Sequence, residues 1–416
     1  MTTFILKSKN SKVFNRNFIL ELKPSIPKNT IYENPNEAFG FIPLLNEQRN
    51  QIDKINSDLW KKIRWYINDC DFLVKDPIIN RAFYKYWEII QTFSLYDDLE
   101  KNDLIFHCAE APGGFIQSSQ LFLSKFRKDY FEQKQANTNN KILDDGFITI
   151  IKKKKQIPEY KIFSISLNRN LNIYKKFNLP SYNSKIVNKY TYITYGSDNT
   201  GNINNWDNIL FIKNKLKVQN TQGFKVITCD GGMDEGNDFN NKEQLHNYLI
   251  LNEILSTVFL QQEGGHFILK MFDIFTETSI HLLYLLTTLY ESVYIYKPKT
   301  SRPTNSEKYI ICKNFTNNTE YISKLMIELK SLSDKLKYNN NKYYAFKIFI
   351  NIPDSFIEKV KQMNHILVSI QCDYLNKAII LCNDVQFINK YDSLLSKSLQ
   401  ERINIYNQWA TTYMYT

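Results

Sequence analysis

"LIFHCAEAPGGFIQSSQLFLSKF", residues 104–126, joins a short apolar run to a helical pattern through a turn with two glycines. The apolar run has the length and flanking residues of a buried strand, and the spacing after the turn is that of a helix. Gly113 and Gly114 would let the backbone turn sharply and approach a ligand, beside the free N–H groups of the helix. A plain tight turn explains the same glycines, so the stretch predicts a strand–turn–helix unit before it predicts a site.

Residues 76–314 repeat this alternation of strand and helix, which is typical of a doubly wound α/β sheet. Residues 315–416 lose the alternation and are predicted to be mostly helical, and residues 1–75 are interpreted as an N-terminal extension. Six further strand-like runs bring the strand count of the middle domain to seven: YKIFSISL, KYTYITYG, GFKVITCDGG, HFILK, SVYIYKP and EKYIICKNF.

Two helices and one insertion are predicted within the middle domain. "KDPIINRAFYKYWEIIQTF" should be a helix with Asp76 as its N-cap and Pro77 at its first position. "NKEQLHNYLILNEILSTVFLQQ" should be an amphipathic helix that a Gly-Gly pair at 264–265 ends. The polar segment 132–158 predicts a surface insertion, and its lysine run 152–155 favours a solvated face over a nucleic-acid site.

Composition narrows the class of protein. Of the 416 residues, 43% are hydrophobic and 14% aromatic, so we expect a sizeable core. The 53 Lys and Arg against 42 Asp and Glu give a net charge of +11, which favours a nucleic acid or a membrane surface as partner. Six cysteines without a CxxC pair and five histidines without ligand spacing predict no metal site. Neither a signal peptide nor an apolar run of about 18 to 20 residues is found, so we expect an intracellular protein without a membrane span.

Asp230 and Lys270 end two predicted strands that should be neighbours. In a parallel sheet both side chains would lie at the crevice beyond the carboxyl ends of the strands, where ligands bind. A lysine after an apolar run can extend its ammonium group into solvent, or it can pair with Asp230 at the rim of the sheet. It can also point into a site that needs an amine, and the two strands alone leave these alternatives open.

Four stretches resemble one known family: CAEAPGGF (108–115), CDGG (229–232), GGHFILKMFDIFT (264–276) and KPKTSRPTNSEKYIICK (297–313). The family is the FtsJ-type ribose 2′-O-methyltransferases, and the resemblance is strongest to the cap-specific mRNA branch of eukaryotes and large DNA viruses. It implies a Rossmann-like methyltransferase fold, S-adenosyl-L-methionine as cofactor and capped mRNA as partner. The implied reaction is methylation of the 2′-hydroxyl of the first or second transcribed nucleotide.

The resemblance also assigns a catalytic Lys-Asp-Lys-Glu set to Lys85, Asp230, Lys270 and Glu307. Transfer to a ribose hydroxyl needs in-line positioning and loss of the hydroxyl proton, but a lysine with its ordinary pKa of about 10.4 stays charged at neutral pH. Burial would lower the pKa of Lys270 and the carboxylates would raise it, so the sequence leaves the sign open. Our hypothesis is that Lys270 orients and deprotonates the hydroxyl, the carboxylates align the lysines, and Lys85 holds the ribose or a phosphate.

The same resemblance implies contacts with the cofactor and with RNA. Arg302 in "TSRP" is the implied RNA contact, whereas the basic and aromatic cluster at 61–65 is better explained as an ordinary amphipathic helix. Asn202 stands where the family often carries an Asp beside the adenine, and "SISLNRN" has no acidic residue for the cofactor ribose. The implied cofactor-binding residues are Ala111, Pro112, Gly113, Gly114, Phe115, Asn202 and Asp230.

Two other functions stay open at this point. One is methylation of an internal ribose of ribosomal or transfer RNA. The other is a non-catalytic RNA-binding subunit of a capping or polyadenylation complex, and further capping or transcription subunits are conceivable partners in either case. Abundant Asn, Lys, Ile and Tyr, which have AT-rich codons, together with the viral resemblance, favour a large DNA virus as source and the host cytoplasm or virion as location.

Overall fold

The computed structural model describes residues 2–7, 22–25, 40–70, 77–128, 161–218, 222–232, 239–337 and 343–414. The predicted insertion at 132–158, with its lysine run, and the predicted N-cap Asp76 lie outside these residues. Within the described ranges no helix is long and apolar enough to cross a membrane.

Strands and helices alternate through the middle of the chain, and helices dominate its C-terminal part. The strands are β1 (Thr2–Lys7), β2 (Leu22–Ser25), β3 (Ile105–Cys108), β4 (Ile162–Ile165), β5 (Thr191–Thr194), β6 (Phe224–Cys229), β7 (Gln261–Met271), β8 (Tyr290–Lys297), β9 (Lys308–Phe315) and β10 (Lys347–Phe349). The α-helices are α1 (Ile42–Asp53), α2 (Ser57–Ile67), α3 (Ala82–Phe93), α4 (Gly114–Phe126), α5 (Trp206–Val218), α6 (Lys242–Leu260), α7 (Glu277–Leu289), α8 (Thr319–Lys337), α9 (Asp354–Asn383) and α10 (Val385–Tyr413).

Eight strands form the central sheet, in the order β1-β8-β9-β7-β6-β3-β4-β5. Neighbours from β5 to β7 are parallel, whereas β9, β8 and β1 are joined to the sheet by antiparallel pairing. All seven strands predicted from the sequence are present. The predicted count of seven for the middle domain is therefore confirmed, and the region interpreted as an extension adds an eighth strand to the sheet, β1. Its short apolar run gives no sign of the long-range pairing with β8 that makes it part of the sheet.

Two helix boundaries differ from the sequence prediction. α3 begins at Ala82, because residues 77–80 are held in an extended segment by Gln117, whose side chain accepts from Ile79 N and donates to Pro77 O. α6 ends at Leu260 rather than at the glycines, and 264–265 lies inside β7. There the register shifts against β6, so the glycines form a bulge in the strand instead of a helix stop.

Helices cover both faces of the sheet. α3, α4 and the end of α10 pack on one face, and α5 to α8 with the start of α9 pack on the other. α6, predicted to be amphipathic, is buried almost all round because α8 lies over its outer side, where Ser333 Oγ donates to Asn252 Oδ1 at 2.7 Å. β3 and β4 are buried at every residue, as expected for parallel strands covered on both faces.

The carboxylate of Glu88 joins three separate parts of this fold. Glu88 lies on α3, is fully buried and accepts five hydrogen bonds. Its Oε1 accepts from Tyr296 Oη at 2.6 Å and Lys299 N at 2.8 Å. Its Oε2 accepts from Thr300 N and Oγ1 and from Trp409 Nε1, the last at 3.2 Å. One side chain therefore fixes the start of the β8–β9 loop and the C-terminal helix together.

Replacing this carboxylate should destabilise the whole fold. Glu88→Ala is expected to lower the free energy of unfolding by about 2–4 kcal/mol, because buried donors lose their acceptor. Glu100→Ala, at an exposed carboxylate, is the matched control and should cost less than about 0.5 kcal/mol. Chemical denaturation measures both values, and equal stabilities of the two variants would contradict the role given to Glu88.

Candidate active site

The carboxyl edge of the sheet places acidic and basic residues side by side. Cys229 of β6 is in register with Leu269 of β7, so Asp230 and Lys270 follow as neighbours. β9 runs in the opposite direction along β7, so its first residues lie at the same edge, and Glu307 directly precedes it. This is the arrangement that the ends of the predicted strands indicated.

The four residues predicted from the family resemblance form two ion pairs, which we call the Lys-Asp-Lys-Glu tetrad. Lys270 Nζ lies 3.2 Å from Asp230 Oδ1 and donates to the backbone oxygen of Asp230 at 2.7 Å. Lys85, in the first turn of α3, has its Nζ 2.6 Å from Glu307 Oε1. Each side chain is between 11% and 17% exposed. Lys270 therefore points into the site and does not extend into solvent.

The carboxylates decide the charge state of Lys270. Burial by itself would lower the pKa of Lys270, but the charges of Asp230 and Glu307 outweigh it and keep that pKa above the ordinary value. Burial would likewise raise the pKa of Glu307, yet Lys85 and Lys270 hold it well below its usual range. Lys270 is therefore charged and Glu307 ionised at neutral pH.

Uncharged and backbone contacts hold the tetrad in place. Ser301 Oγ donates to Glu307 Oε1 at 2.9 Å, and Tyr309 Oη donates to Asp230 Oδ1 at 3.2 Å. Lys297, the last residue of β8, donates to the backbone oxygen of Glu307 at 2.8 Å. Both carboxylates of the tetrad thus have a second partner besides lysine.

Both glycines of the turn before α4 are required by its geometry. Gly113 has φ of +114°, in the left-handed region that side chains rarely adopt. A Cβ on Gly114 would lie 2.1 Å from Asn80 Oδ1, so this position admits no side chain. The N–H of Phe115 at the start of the helix donates to Glu110 Oε1 at 2.6 Å. Asn80 packs against one side of the turn, and Glu110 binds the first N–H after it. The turn therefore exposes backbone, rather than side chains, at the carboxyl edge of the sheet.

Two further buried carboxyl groups lie next to the tetrad, Glu110 before the glycine turn and Glu253 on α6. Glu110 Oε2 accepts no hydrogen bond from the described residues, and burial followed by the charge of Asp230 raises the pKa of Glu110 well above its usual range. Glu253 Oε1 accepts from Gly231 N at 3.2 Å, and burial raises the pKa of Glu253 to about 8. Within the described ranges no group of three or more His, Cys, Asp or Glu is placed to hold a metal ion.

The residues implied for cofactor binding all follow strands at this same edge. Ala111 and Pro112, joined by a cis peptide bond, precede Gly113 in the loop after β3. Asn202 lies in the loop after β5, where its side-chain oxygen accepts from Asn204 N at 3.0 Å. The oxygen of Asn202 is therefore used within its own loop, and its amide nitrogen is the group on offer to a ligand.

Two cavities adjoin the tetrad and share Arg302. The smaller, of 250 Å³, is lined by Phe272, Asp53, Trp60 and Arg64 among others. The larger, of 440 Å³, lies between the β8–β9 loop, the end of α2 and the helices α9 and α10. Arg302, the RNA contact implied by the resemblance, therefore lines both cavities.

The basic and aromatic cluster on α2 divides between the surface and the smaller cavity. Lys61 is exposed and pairs with Asp58 at 3.1 Å, and Trp65 packs beneath the guanidinium group of Arg402 at 4.8 Å. Lys62 is exposed above the ring of Tyr391, and neither lysine lines either cavity. Of the cluster, only Arg64 reaches a cavity.

A model of the FtsJ-like methyltransferase family matches residues 78–315, which is more than half of the chain. The chain belongs to the FtsJ-like methyltransferase family. The match covers the strands from β3 to β9 and all four residues of the tetrad.

Curated relatives of this FtsJ-like chain carry names from mRNA cap methylation. Cap-specific mRNA (nucleoside-2′-O-)-methyltransferase 2 of Danio rerio is 27% identical over 84% of this chain and 44% of its own length. The enzyme named 1A from Caenorhabditis briggsae is 33% identical over 44% of this chain and 22% of its own length. A relative named inactive 1B from the same organism is 31% identical over the same shares. The chain spans less than half the length of these relatives.

Several residues of the FtsJ-like site are absent from the sequence prediction. Glu110 lies inside the quoted "CAEAPGGF", and Glu253 is a lone acid in the apolar run "YLILNEILSTVF". Both are charges in apolar surroundings, a signal that sequence reasoning could have used. Ser301 and Tyr309 carry no such signal, because the contact of Ser301 depends on how the β8–β9 loop folds and that of Tyr309 on the place of β9 in the sheet.

Glu253 should make the stability of the protein depend on pH. Between its unfolded pKa of 4.5 and its folded pKa of about 8, the unfolded chain has released a proton that the folded chain retains. Rising pH therefore favours unfolding in this window, by up to roughly 1.4 kcal/mol per pH unit for this group. Glu253→Gln keeps an acceptor for Gly231 N and removes the titration, so its stability relative to wild type should increase from pH 5 to pH 8.

Chemical denaturation at pH 5, 6, 7 and 8 measures this difference. Glu263→Gln, at an exposed carboxylate, is the control and should follow the wild type at every pH. Parallel pH profiles for Glu253→Gln and wild type would contradict the prediction.

Proposed function

We propose that this chain is an S-adenosylmethionine-dependent methyltransferase that modifies a ribose 2′-hydroxyl of capped mRNA, at the first or second transcribed nucleotide. The observation that carries the proposal is the Lys-Asp-Lys-Glu tetrad, two lysine–carboxylate pairs in contact at the carboxyl edge of the sheet. The names of the curated relatives support capped RNA as the substrate.

Lys270 is proposed to act first as a hydrogen-bond donor and then as the proton acceptor. With its pKa above the ordinary value, it enters the reaction charged and can hold the 2′-oxygen. S-adenosylmethionine, when bound, supplies the methyl group on a sulfonium cation. A positive charge near Lys270 would oppose the effect of Asp230 and Glu307 on its pKa and favour release of one ammonium proton to solvent. The neutral amine of Lys270 would then accept the proton of the 2′-hydroxyl. Lys85, aligned by Glu307, is proposed to hold the ribose or an adjacent phosphate.

The residues around the glycine turn fit the methionine end of this cofactor. Glu110 Oε2 is buried without a hydrogen-bond partner in the described structure. The raised pKa of Glu110 favours the protonated form, and a cationic ligand group beside it would favour the ionised form. The two glycines bring backbone close to the same place. We therefore propose that the turn, with Glu110 and Asp230, holds the amino acid part of the cofactor, and that Asn202 contacts its adenine.

The smaller cavity is proposed to hold the cap guanine. It adjoins the tetrad through Phe272 and Ser306, and it combines the indole ring of Trp60 with the carboxyl group of Asp53. A methylated guanine carries a positive charge, which aromatic faces and carboxylates both stabilise. Arg302 at its edge suits the phosphates that follow.

Catalysis by this chain rests on its own residues rather than on membership of the family. One relative is named as inactive, so family membership is compatible with a non-catalytic RNA-binding role. The two lysine–carboxylate pairs of the tetrad support an active enzyme here. Association with other capping or transcription subunits stays a prediction, as do a source in a large DNA virus and a location in the host cytoplasm or virion.

Methyl transfer to matched short RNAs tests the proposal. One RNA carries a 7-methylguanosine cap and the other a 5′-triphosphate, and both are incubated with labelled S-adenosylmethionine. We expect label on the ribose of the first or second nucleotide of the capped RNA alone, and a loss of at least about 100-fold in Lys270→Ala. Equal labelling of both RNAs would move the function to internal RNA, and binding of capped RNA without any labelling would favour the non-catalytic role.

A second variant tests the proton-accepting role of Lys270. Lys270→Arg keeps the positive charge but replaces the amine by a group that does not lose its proton near neutral pH. We expect low activity without the rise of kcat with pH that the wild type should show. Undiminished activity of Lys270→Arg at neutral pH would exclude the role.

Glu110→Gln tests the proposed cofactor contact. The substitution keeps the acceptor for Phe115 N but leaves a group that cannot ionise beside a cationic ligand group, so binding of S-adenosylmethionine should weaken about tenfold. Methylthioadenosine lacks the amino acid part and serves as the control ligand, with unchanged affinity. Calorimetric titration measures both, and equal weakening for the two ligands would mean that Glu110 only shapes the turn.

A further inference from the structure

The larger cavity lies against the tetrad on the side of Lys85 and Glu307. Ser301 lines it and donates to Glu307 Oε1, and Arg81 lines it from the residue just before α3. Lys297 lines it from the end of β8 and holds the backbone oxygen of Glu307. None of the four tetrad residues lines the cavity, so Ser301 and Lys297 connect it to Glu307.

The cavity is separate from the groups that would hold the cofactor. None of its lining residues comes from the glycine turn, from the loop after β5 or from the residues that follow β6. Its volume of 440 Å³ falls in the range of sites that hold a nucleotide-sized ligand. The C-terminal helices contribute Tyr374 and Trp409 to its wall, so a region outside the family match builds part of it.

Its charge suits a phosphate group. Four cationic side chains line it, against the single carboxylate of Asp69: Arg81, Lys297, Lys299 and Arg302. Burial and the neighbouring Arg302 lower the pKa of Arg81 to about 10, and burial lowers that of Lys297 to about 7. An anion in the cavity would offset the burial of these groups and the repulsion between Arg81 and Arg302.

The end of α2 gives the cavity groups that suit a nucleobase. Asn68 lines the cavity and is 2% exposed, and its Oδ1 accepts no hydrogen bond from the described residues. Asp69, the next residue in the chain, also lines the cavity and carries a carboxyl group. The oxygens of Asn68 and Asp69 can accept hydrogen bonds from the amino and ring N–H groups of a base. The aromatic ring of Tyr374, in the same lining, suits the flat face of that base.

We propose that this cavity binds the RNA nucleotide on the 3′ side of the methylated ribose, which rests on the proposed function. The cap guanine occupies the smaller cavity, the target ribose the tetrad, and the next nucleotide the larger cavity. Arg302, shared by both cavities, contacts the phosphates between them. The C-terminal helices therefore take part in RNA binding through Tyr374 and the wall they build.

Binding of capped RNAs of increasing length tests this subsite. The series is the cap with one, two and three nucleotides, titrated in saturating S-adenosylhomocysteine so that no turnover occurs. We expect affinity to rise about tenfold at the single step that adds the nucleotide after the methylated one. That is the second nucleotide if the first is methylated, and the third if the second is methylated.

Variants of two cavity residues should remove this step. The side chain of Lys299 is exposed, and Lys299 binds Glu88 through its backbone N–H. Lys299→Ala keeps that backbone group, so the fold should be kept. Lys299→Ala and Tyr374→Ala should each reduce the step to about threefold or less, with unchanged affinity for the shorter RNA. Lys390→Ala, at an exposed lysine of α10 outside both cavities, removes the same charge and should leave the step intact.

Each other outcome overturns the subsite in a recognisable way. A step of unchanged size in both variants would mean that the nucleotide binds elsewhere. If the free 5′-mononucleotide binds in a variant-sensitive manner while the RNA step is unaffected, the cavity is a site for free nucleotides. Methyl transfer without any length step would reject the subsite and leave the proposed function standing. A length step that the variants reduce, without any methyl transfer, would support the subsite and reject the proposed function.

Discussion

The buried carboxylate of Glu88 is the interaction on which the geometry of the site depends. It gathers the end of β8, the backbone of the β8–β9 loop and the indole N–H of Trp409 around two oxygen atoms. The loop that it fixes carries Ser301 and Arg302 and leads to Glu307. A shift of this loop would separate Glu307 from Lys85, so the position of one ion pair of the tetrad follows from a hydrogen-bond network behind it.

The second organising constraint is the balance of charge at the edge of the sheet. Burying a single charged side chain costs free energy, and such a charge is tolerated when an opposite charge and hydrogen bonds lie beside it. The tetrad meets this condition with alternating signs, whereas Glu110 and Glu253 meet it by retaining protons, since the pKa of each is raised. The larger cavity is different, because it collects cations around an open volume. The paired charges of the tetrad suit proton transfer, and the excess of basic side chains around the larger cavity suits a polyanionic ligand.

The sequence predicts the parts of this molecule that local pattern encodes. Seven strands follow from short apolar runs, and the proximity of Asp230 and Lys270 follows from the ends of two of them. The tetrad as a whole needed the family resemblance, because Lys85 and Glu307 lie 222 residues apart in the numbering and meet only in three dimensions. β1, the start of α3 and the residues of the two cavities were not predictable, since each depends on contacts with distant elements that leave no periodic trace.

The hydrogen bond from Trp409 to Glu88 spans 321 positions of the chain. Contacts between residues so far apart close slowly, because a long loop must be ordered before they form. During synthesis, α3 and the sheet can assemble before α10 has left the ribosome, but the β8–β9 loop then lacks one of its anchors. Completion of the candidate site is therefore a late event in the folding of each molecule, and a nascent chain can form the sheet before the carboxyl edge of that sheet is fully assembled.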